Sequence, residues 1–201
     1  TIGETCNGAA LAQGAGNWEI VGDPTEGALL VPARKGSPGA VPLGSLLYEI
    51  PFDSERKLMS VVCERPDGRR VLLLKGAPEM VLARCSHERV LAQTRPLTPA
   101  RRQIIEAANA DMAGRALRVL ALADREDPAA ADDGEQEQQL TFVGLVGMID
   151  PPRDEVKPAV ARCRAAGIRP VMITGDHAAT AMAIARELGL AEAHHRAVTG
   201  T

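Results

Sequence analysis

The sequence is poor in aromatic residues, which make up 2% of its 201 positions. The four rings are Trp18, Tyr48, Phe52 and Phe142. Hydrophobic residues nevertheless reach 45%, so any core must be built from aliphatic side chains and alanine. Each of the four rings therefore stands out as a candidate for a particular role.

Cysteine pairs are also missing from the sequence. No two of the four cysteines form a C-x-x-C motif, and no histidine follows at zinc-finger spacing. This pattern predicts reduced and mostly buried thiols in a reducing compartment. His194 and His195 are interpreted as a solvated surface pair rather than as metal ligands.

Long apolar runs and an excess of positive charge are absent too. No stretch approaches the roughly 18 apolar residues of a membrane span, and no signal peptide is visible. Lysine and arginine total 23 against 26 acidic residues, which gives a net charge of −3. This balance argues against a nucleic-acid binder that is held by net charge.

Two strand–turn–helix units are present between Phe142 and Leu190. Their predicted strands, 143–150 and 171–176, each end in an acidic residue. Because a parallel α/β sheet places its chemistry at the carboxyl ends of strands, we expect Asp150, Thr174 and Asp176 where phosphate or Mg²⁺ would bind. Two units are too few for a closed sheet, so this region is predicted to be a fragment of a larger domain.

The first 140 or so residues have a different pattern. Two apolar runs flank Pro66-Asp67-Gly68, which predicts an antiparallel hairpin. Helices are predicted to start at Pro24, Pro78 and Pro99, and residues 124–139 are predicted to form an exposed acidic loop. The fold class is therefore an α+β domain, residues 1–141, with an antiparallel sheet flanked by helices. A partial α/β domain follows it over residues 142–201.

The hairpin carries residues that suit a nucleotide. Phe52 lies just before it, Lys57 on its first strand, and Lys75 and Gly76 at the end of its second. A base could stack on the ring while the ammonium groups face phosphates. Alternatively, Phe52 belongs to the core and the lysines are solvated edge charges that discourage aggregation. The two lysines share a face only if the paired residue numbers have an even sum, which the sequence leaves open.

Other polar residues permit two interpretations each. Glu26 falls at the capping-box position of a helix whose N-cap is Asp23, so capping alone could explain it. Arg118 interrupts an apolar strand and could simply face water. The run Thr174-Gly175-Asp176 suits a phosphate site at a helix N-terminus, although Asp176 could also only cap that helix.

Five segments together resemble the cytoplasmic part of P-type cation-transporting ATPases, in the calcium-pump-like branch. They occur in the order of that family and span nearly the whole chain: Gly22-Asp23-Pro24-Thr25-Glu26-Gly27-Ala28-Leu29, Phe52 with Arg56-Lys57, Lys75-Gly76-Ala77-Pro78-Glu79, Asp150-Pro151-Pro152-Arg153 and Thr174-Gly175-Asp176. The resemblance implies an α+β nucleotide-binding domain joined to a partial haloacid-dehalogenase-like, Rossmann-like phosphorylation domain.

The resemblance also implies roles for the nucleotide-binding residues. Phe52 matches the aromatic residue that stacks on adenine, and Glu26 matches a carboxylate near the adenine amino group. Lys57 and Lys75, with Gly76 after it, match the lysine-lined wall of the ATP pocket.

Further residues are implied to handle phosphate. Arg118 matches an arginine that reaches the nucleotide phosphates, and Leu120 matches an apolar pocket wall. Thr174-Gly175-Asp176 matches the loop that holds the transferred phosphoryl group. Asp150 matches the hinge that returns to the phosphorylation domain.

The resemblance implies a function for the intact pump. ATP and Mg²⁺ would phosphorylate an aspartate in an Asp-Lys-Thr-Gly-Thr motif, and hydrolysis would drive a cation, calcium by branch, through membrane helices. That motif is absent here and is expected upstream of Thr1. Ser54 stands where the family often has an arginine, which removes one phosphate contact. We expect this chain to be a cytoplasmic portion of an integral membrane protein, to bind ATP without hydrolysing it, and to have the remaining domains and membrane helices of the pump as partners.

Two other functions are compatible with parts of the sequence. A stand-alone haloacid-dehalogenase-like phosphatase would need an Asp-x-Asp motif on a strand before residue 140, and none occurs. A non-catalytic nucleotide-binding module without a pump is the second alternative.

Overall fold

The computed structural model describes residues 2–14, 18–36, 43–115, 117–128, 135–149, 152–174, 178–192 and 194–198. The helices are α1 (Ile2–Thr5), α2 (Pro24–Gly36), α3 (Pro78–Arg84), α4 (Pro99–Gly114), α5 (Val156–Ala165) and α6 (Ala178–Glu187), with a 3₁₀ turn at Glu135–Glu137. The strands are β1 (Ala10–Gln13), β2 (Trp18–Val21), β3 (Ser45–Asp53), β4 (Leu58–Glu64), β5 (Arg70–Gly76), β6 (Cys85–Val90), β7 (Gln93–Pro96), β8 (Arg118–Glu126) and β9 (Leu140–Met148).

A seven-stranded sheet organises most of the chain, in the order β3-β4-β5-β8-β9-β6-β7. Strands β3, β4, β5 and β8 pair antiparallel, whereas β6 runs parallel to β9 and antiparallel to β7. Strands β1 and β2 form a separate two-stranded sheet. The predicted domain, with a large sheet and several helices, is confirmed, but the prediction of an antiparallel sheet is wrong for one pair, because β6 and β9 run parallel.

Apolar side chains cover both faces of this sheet. One face carries Leu72 and Leu74, which form a cluster with Val81 of α3 and Ile105 of α4. The other face carries Met59, Val61, Val71 and Leu73, which cluster with Ile2 and Cys6. A strand that is buried on both sides needs a continuous apolar run, which explains the Leu72-Leu73-Leu74 sequence in β5.

The helix starts predicted at Pro24, Pro78 and Pro99 are confirmed. Helix α2 begins at Pro24, and the Oδ1 atom of Asp23 accepts the N–H of Glu26 at 3.1 Å. Gly167 and Gly189 follow α5 and α6 with φ angles of 76° and 73°. That left-handed conformation favours glycine and ends each helix.

The acidic loop that the sequence predicted over residues 124–139 is wrong at both ends. Strand β8 continues to Glu126, and the 3₁₀ turn Glu135–Glu137 contains two buried residues, Gln136 and Glu137. The composition indicated solvent exposure, but Glu137 is buried because distant residues neutralise and hydrogen-bond its carboxylate.

The strand predicted over residues 171–176 is also wrong where the structure describes it. Residues 171–174 have no regular structure, and Ile173 is 94% exposed. A β-strand needs a neighbouring strand for its backbone hydrogen bonds, and none pairs with this segment among the described residues. Strand β9, expected to share a sheet with it, instead lies in the large sheet beside β6.

The chain divides into two compact units. The first comprises Thr1–Glu106 and Val119–Val146, and it contains all the described strands apart from Arg118 and the end of β9. The second comprises Ala107–Arg118 and Gly147–Thr201, with α5, α6 and the end of α4. Within the described residues, no helix has the length and hydropathy that a membrane span requires. The predicted domain limits, 1–141 and 142–201, stay a prediction.

Candidate nucleotide site

The predicted nucleotide-binding residues of the hairpin lie at one end of three neighbouring strands. Phe52 is near the end of β3, Lys57 directly precedes β4, and Lys75 and Gly76 end β5. The register pairs Leu58 with both Asp53 and Gly76, so these residues occupy adjacent positions across the strands.

This register also answers a question that the sequence left open. Met59 pairs with Lys75, and the two numbers have an even sum. The prediction that Lys57 lies on the first strand of the hairpin is wrong. It lies in the turn before β4 with a φ of 55°, so strand alternation does not set the direction of its side chain.

The buried Lys75 forms an ion pair with the half-buried Glu26. The Nζ of Lys75 lies 2.5 Å from Oε1 of Glu26, and the two side chains are 5% and 20% exposed. The other carboxylate oxygen of Glu26 accepts the backbone N–H of Gly8 at 2.9 Å. Glu26 therefore does more than mark a helix start, and the interpretation of Lys75 as a solvated edge charge is wrong.

Phe52 differs from a core aromatic residue. Its exposed fraction is 61%, whereas Phe142 is 7% exposed and belongs to the larger apolar cluster. The interpretation of Phe52 as a core residue is therefore wrong. A large apolar ring in water is available to stack on a flat ligand.

Lys57 is exposed and loosely paired. Its Nζ lies 3.8 Å from Oε1 of Glu79, and the two side chains are 56% and 62% exposed. An exposed pair of this kind contributes roughly 0–1 kcal/mol, so an anion can replace Glu79 at little cost.

Gly76 has a structural reason to be glycine. A Cβ atom at this position would lie 2.3 Å from the carbonyl oxygen of Lys57 and 2.6 Å from Cδ2 of Leu58. The close approach that this glycine allows is therefore that of the neighbouring strand β4.

A buried thiol lies close to the ion pair. Cys6 is fully buried, and its Sγ donates to the carbonyl oxygen of Met59 at 3.5 Å. Burial raises the pKa of Cys6 to about 12; Lys75 opposes that rise and Glu26 adds to it. The thiol therefore stays protonated and unreactive. Like Cys63, Cys85 and Cys163, it is free, as the sequence predicted.

Two further predicted binding residues, Leu120 and Arg118, lie on β8. Leu120 is half-buried on β8, one position before Ala121, the partner of Gly76. Arg118 is exposed and belongs to the second unit.

Within the second unit, Thr174 is exposed and lines a cleft of about 970 Å³ together with Arg164 and Arg169. Asp150, Gly175 and Asp176 lie outside the described residues. Over the part of the chain that the structure describes, no group of three or more His, Cys, Asp or Glu side chains could hold a metal ion.

Sequence reasoning missed a buried carboxylate near the hairpin, that of Glu137. The Nη2 of Arg56 donates to Glu137 at 2.5 and 2.6 Å, and the Oγ of Ser60 donates to it at 2.7 Å. Arg56 and Glu137 are 81 positions apart, so no local pattern indicates the contact. The only available signal was the position of Arg56, within the segment that carries the resemblance.

Comparison with known families gives a match over most of the chain. Residues 1–155 match the profile of the Cation_ATPase family, which is described as "P-type ATPase, cytoplasmic domain N".

Individual proteins show the same similarity over a longer stretch. The chain is 41% identical over 194 residues to a calcium-transporting ATPase of Bacillus subtilis, and the aligned region covers 94% of this chain and 22% of that protein. It is 45% identical over 192 residues to calcium-transporting ATPase 1 of Bacillus cereus, covering 93% and 21%. It is 43% identical over 195 residues to the cation-transporting ATPase pma1 of Synechocystis, covering 94% and 21%. The chain thus spans about a fifth of the length of these relatives.

Proposed function

Because the chain belongs to the cation-transporting P-type ATPases, we propose that its first unit binds ATP at the end of β3, β4 and β5. The observation that carries the proposal is the exposed ring of Phe52 at the same strand ends as Lys75, which is paired with Glu26 of α2. This set offers an apolar surface, a carboxylate acceptor and the exposed ammonium group of Lys57. These are the groups that a purine base with an exocyclic amine and a phosphate chain requires.

Each side chain would supply one interaction. The ring of Phe52 would stack on adenine, an interaction of roughly 1–3 kcal/mol. Glu26 would accept from the adenine amino group, and Lys75 would border the base. Lys57, whose partner Glu79 is distant and exposed, is free to turn its ammonium group toward phosphate oxygens. The roles of Arg118 and Leu120 are proposed on the family resemblance alone.

We further propose that the full-length protein is an ion pump. Its ATP hydrolysis, through a phosphorylated aspartate, would move a cation across a membrane, with the other domains and the membrane helices of the pump as partners. Calcium is the proposed ion, since relatives from both Bacillus species are named calcium-transporting ATPases. This chain would then be a cytoplasmic portion of a membrane protein. The match of residues 1–155 to domain N favours this proposal over a free phosphatase or an isolated binding module.

Mg²⁺ belongs to the proposed reaction, but the residues that the structure describes offer no site for it. No cluster of carboxylates suitable for it occurs among the described residues, so no step here depends on it. Binding of ATP to this chain should accordingly depend little on Mg²⁺.

Residues after β9 are proposed to belong to the phosphorylation domain, with the haloacid-dehalogenase-like fold. The similarity to whole pumps covers 93–94% of the chain and so extends beyond the end of the domain N match at residue 155. Thr174, Gly175 and Asp176 would then hold the transferred phosphoryl group, and Asp150 would lie at the hinge. These four assignments rest on the resemblance.

Calorimetric titration tests the ATP proposal. ATP and ADP should bind, with or without Mg²⁺, and inorganic tripolyphosphate should not, because the base supplies most of the affinity. The chain should show no repeated turnover of ATP. Equal binding of tripolyphosphate and ATP, or an absolute requirement for Mg²⁺, would contradict the proposed site.

A further inference from the structure

Glu137 is a buried carboxylate whose hydrogen-bond donors are concentrated in one segment. It is 2% exposed, and acidic side chains are almost never buried to this extent unless they are paired. Its donors are Arg56 and Ser60, both in the short stretch of chain that also contains Phe52 and Lys57.

Arg56 is the anchored residue of the turn that joins β3 to β4. Of the four turn residues 54–57, only Arg56 is half-buried, while the other three are exposed. Within the turn, Oδ1 of Asp53 accepts the N–H groups of Glu55 and Arg56 at 2.9 and 2.8 Å. Those bonds shape the turn, whereas the bond from Arg56 to Glu137 ties it to another part of the fold.

The segment that carries Glu137 is itself fixed to the sheet. The Nη1 of Arg125, on β8, donates to the carbonyl oxygens of Gln136 and Gln138 at 3.2 and 3.1 Å. Hydrogen bonds from β8 therefore hold the residues on either side of Glu137, and the carboxylate of Glu137 in turn holds Arg56 in the turn beside Phe52.

We propose that Glu137 is a positioning residue for nucleotide binding, acting through Arg56 on Phe52 and Lys57. The inference rests on the proposed ATP site. A buried ion pair is a poor source of stability compared with an apolar pair of the same volume, but its directional bonds fix geometry. Because the other three turn residues are exposed, the anchoring of Arg56 by Glu137 sets where the ring and the ammonium group stand.

The chain offers a matched control in the pair formed by Arg89 and Asp124. Its arginine and acid are 33% and 7% exposed, against 31% and 3% for Arg56 and Glu137. Arg89 donates to both carboxylate oxygens of Asp124, and this pair links β6 to β8 rather than to the turn.

The test compares Glu137→Gln with Asp124→Asn in ATP titrations, at a temperature where circular dichroism shows both variants folded. Both substitutions should lower the melting temperature. Glu137→Gln should weaken ATP binding roughly tenfold, which is the coupling expected for residues in one network. Asp124→Asn should change the dissociation constant less than about twofold. In a Phe52→Ala background, Glu137→Gln should lose most of its effect, because the ring that it positions is gone.

Equal effects of the two substitutions on ATP affinity, or an undiminished Glu137→Gln effect in the Phe52→Ala background, would overturn the positioning role. If Glu137→Gln does not fold, Arg56→Lys replaces it, since it keeps the charge but loses the planar guanidinium group. Wild-type affinity in Arg56→Lys would overturn the proposal in the same way. A wild-type chain that binds no ATP would contradict the proposed function itself, whereas normal ATP binding by Glu137→Gln would contradict only this inference.

Discussion

The two units of the chain bury their apolar residues to different extents. In the first unit, strands β4 and β5 have neighbours on both sides, and Leu72 and Leu74 are fully buried. In the second unit, Val171, Ile173 and Val198 are 76%, 94% and 98% exposed.

The difference shows what strand formation requires beyond composition. Val171-Met172-Ile173 is as apolar as parts of β5, yet among the described residues no strand pairs with it, whereas β5 has strands on either side to pair its backbone groups and helices packed against it. β-Propensity describes how well a residue fits a paired, half-buried surface, so it has little effect without that surface.

Truncation of one apolar residue in each unit should give the largest contrast. Leu72→Ala removes a fully buried side chain and should lower the free energy of unfolding by about 2–5 kcal/mol. Ile173→Ala should change it by less than about 0.5 kcal/mol, since that side chain is already in water. Urea denaturation measures both values, and a comparable loss for Ile173→Ala would remove the distinction between the units.

Glycine substitution gives a second contrast. A Cβ at Gly76 would lie 2.3 Å from a backbone oxygen that cannot move aside, so Gly76→Ala should destabilise by roughly 1–3 kcal/mol. Gly114, in the second unit, ends α4 with nothing within 4 Å of an added Cβ. Gly114→Ala should therefore be neutral or slightly stabilising. If both variants have the melting temperature of the wild type, the close approach of β4 does not restrict position 76 to glycine.

Phe52 is an exposed apolar residue of the first unit to which we assign a ligand. Phe52→Ala should weaken ATP binding by roughly 1–3 kcal/mol, the value of base stacking, and leave the melting temperature nearly unchanged. Leu46→Ala is the control, because Leu46 lies on the same strand and is 56% exposed. Calorimetry should show wild-type affinity for Leu46→Ala, and an equal loss in the two variants would refute the stacking role.

Lowering the pH should reduce the stability contributed by the ion pairs of Glu88, in the first unit, more than that contributed by an exposed ion pair in the second unit. Hydrogen bonds from Arg101 and Arg95 lower the pKa of Glu88 below its ordinary value of 4.5. The unfolded state therefore takes up a proton that the native state does not. The stabilisation is present at neutral pH and is lost as the pH falls below about 4.5 and through the folded-state pKa.

Two variants check this assignment by urea denaturation at several pH values. Glu88→Gln should have a lower free energy of unfolding than the wild type at pH 7, and this difference should become smaller toward pH 3. Asp111→Asn, in the second unit, removes a pair whose side chains are 70% and 71% exposed and should have little effect at any pH. If the difference in unfolding free energy between Glu88→Gln and the wild type is the same at every pH, the lowered pKa of Glu88 does not contribute to stability as stated.

The sequence predicted local features well and distant contacts poorly. The turn at Asp67-Gly68 and the adjoining apolar runs were sufficient for the β4–β5 hairpin, and Asp23 was sufficient for the start of α2. Strand β7 was missed because its exposed residues, at the edge of the sheet, carry no apolar signal. The burial of Glu137 was missed because its partner Arg56 is 81 positions away.

The candidate site was predicted with the same limits. Phe52, Lys57 and Lys75 were candidates from the hairpin sequence, and the family resemblance added Glu26. The ion pair between Lys75 and Glu26 depends on how α2 lies against the sheet. No spacing rule encodes a contact across 49 positions.

The central claim is that ATP binds at the strand ends of the first unit, with adenine on Phe52. An NMR titration of the labelled chain with ATP tests it most directly, because each backbone amide reports its own position. The largest chemical-shift changes should occur at residues 52–58 and at Lys75 and Gly76, with few changes in the second unit. Changes concentrated around Thr174, or none at millimolar ATP, would contradict the claim.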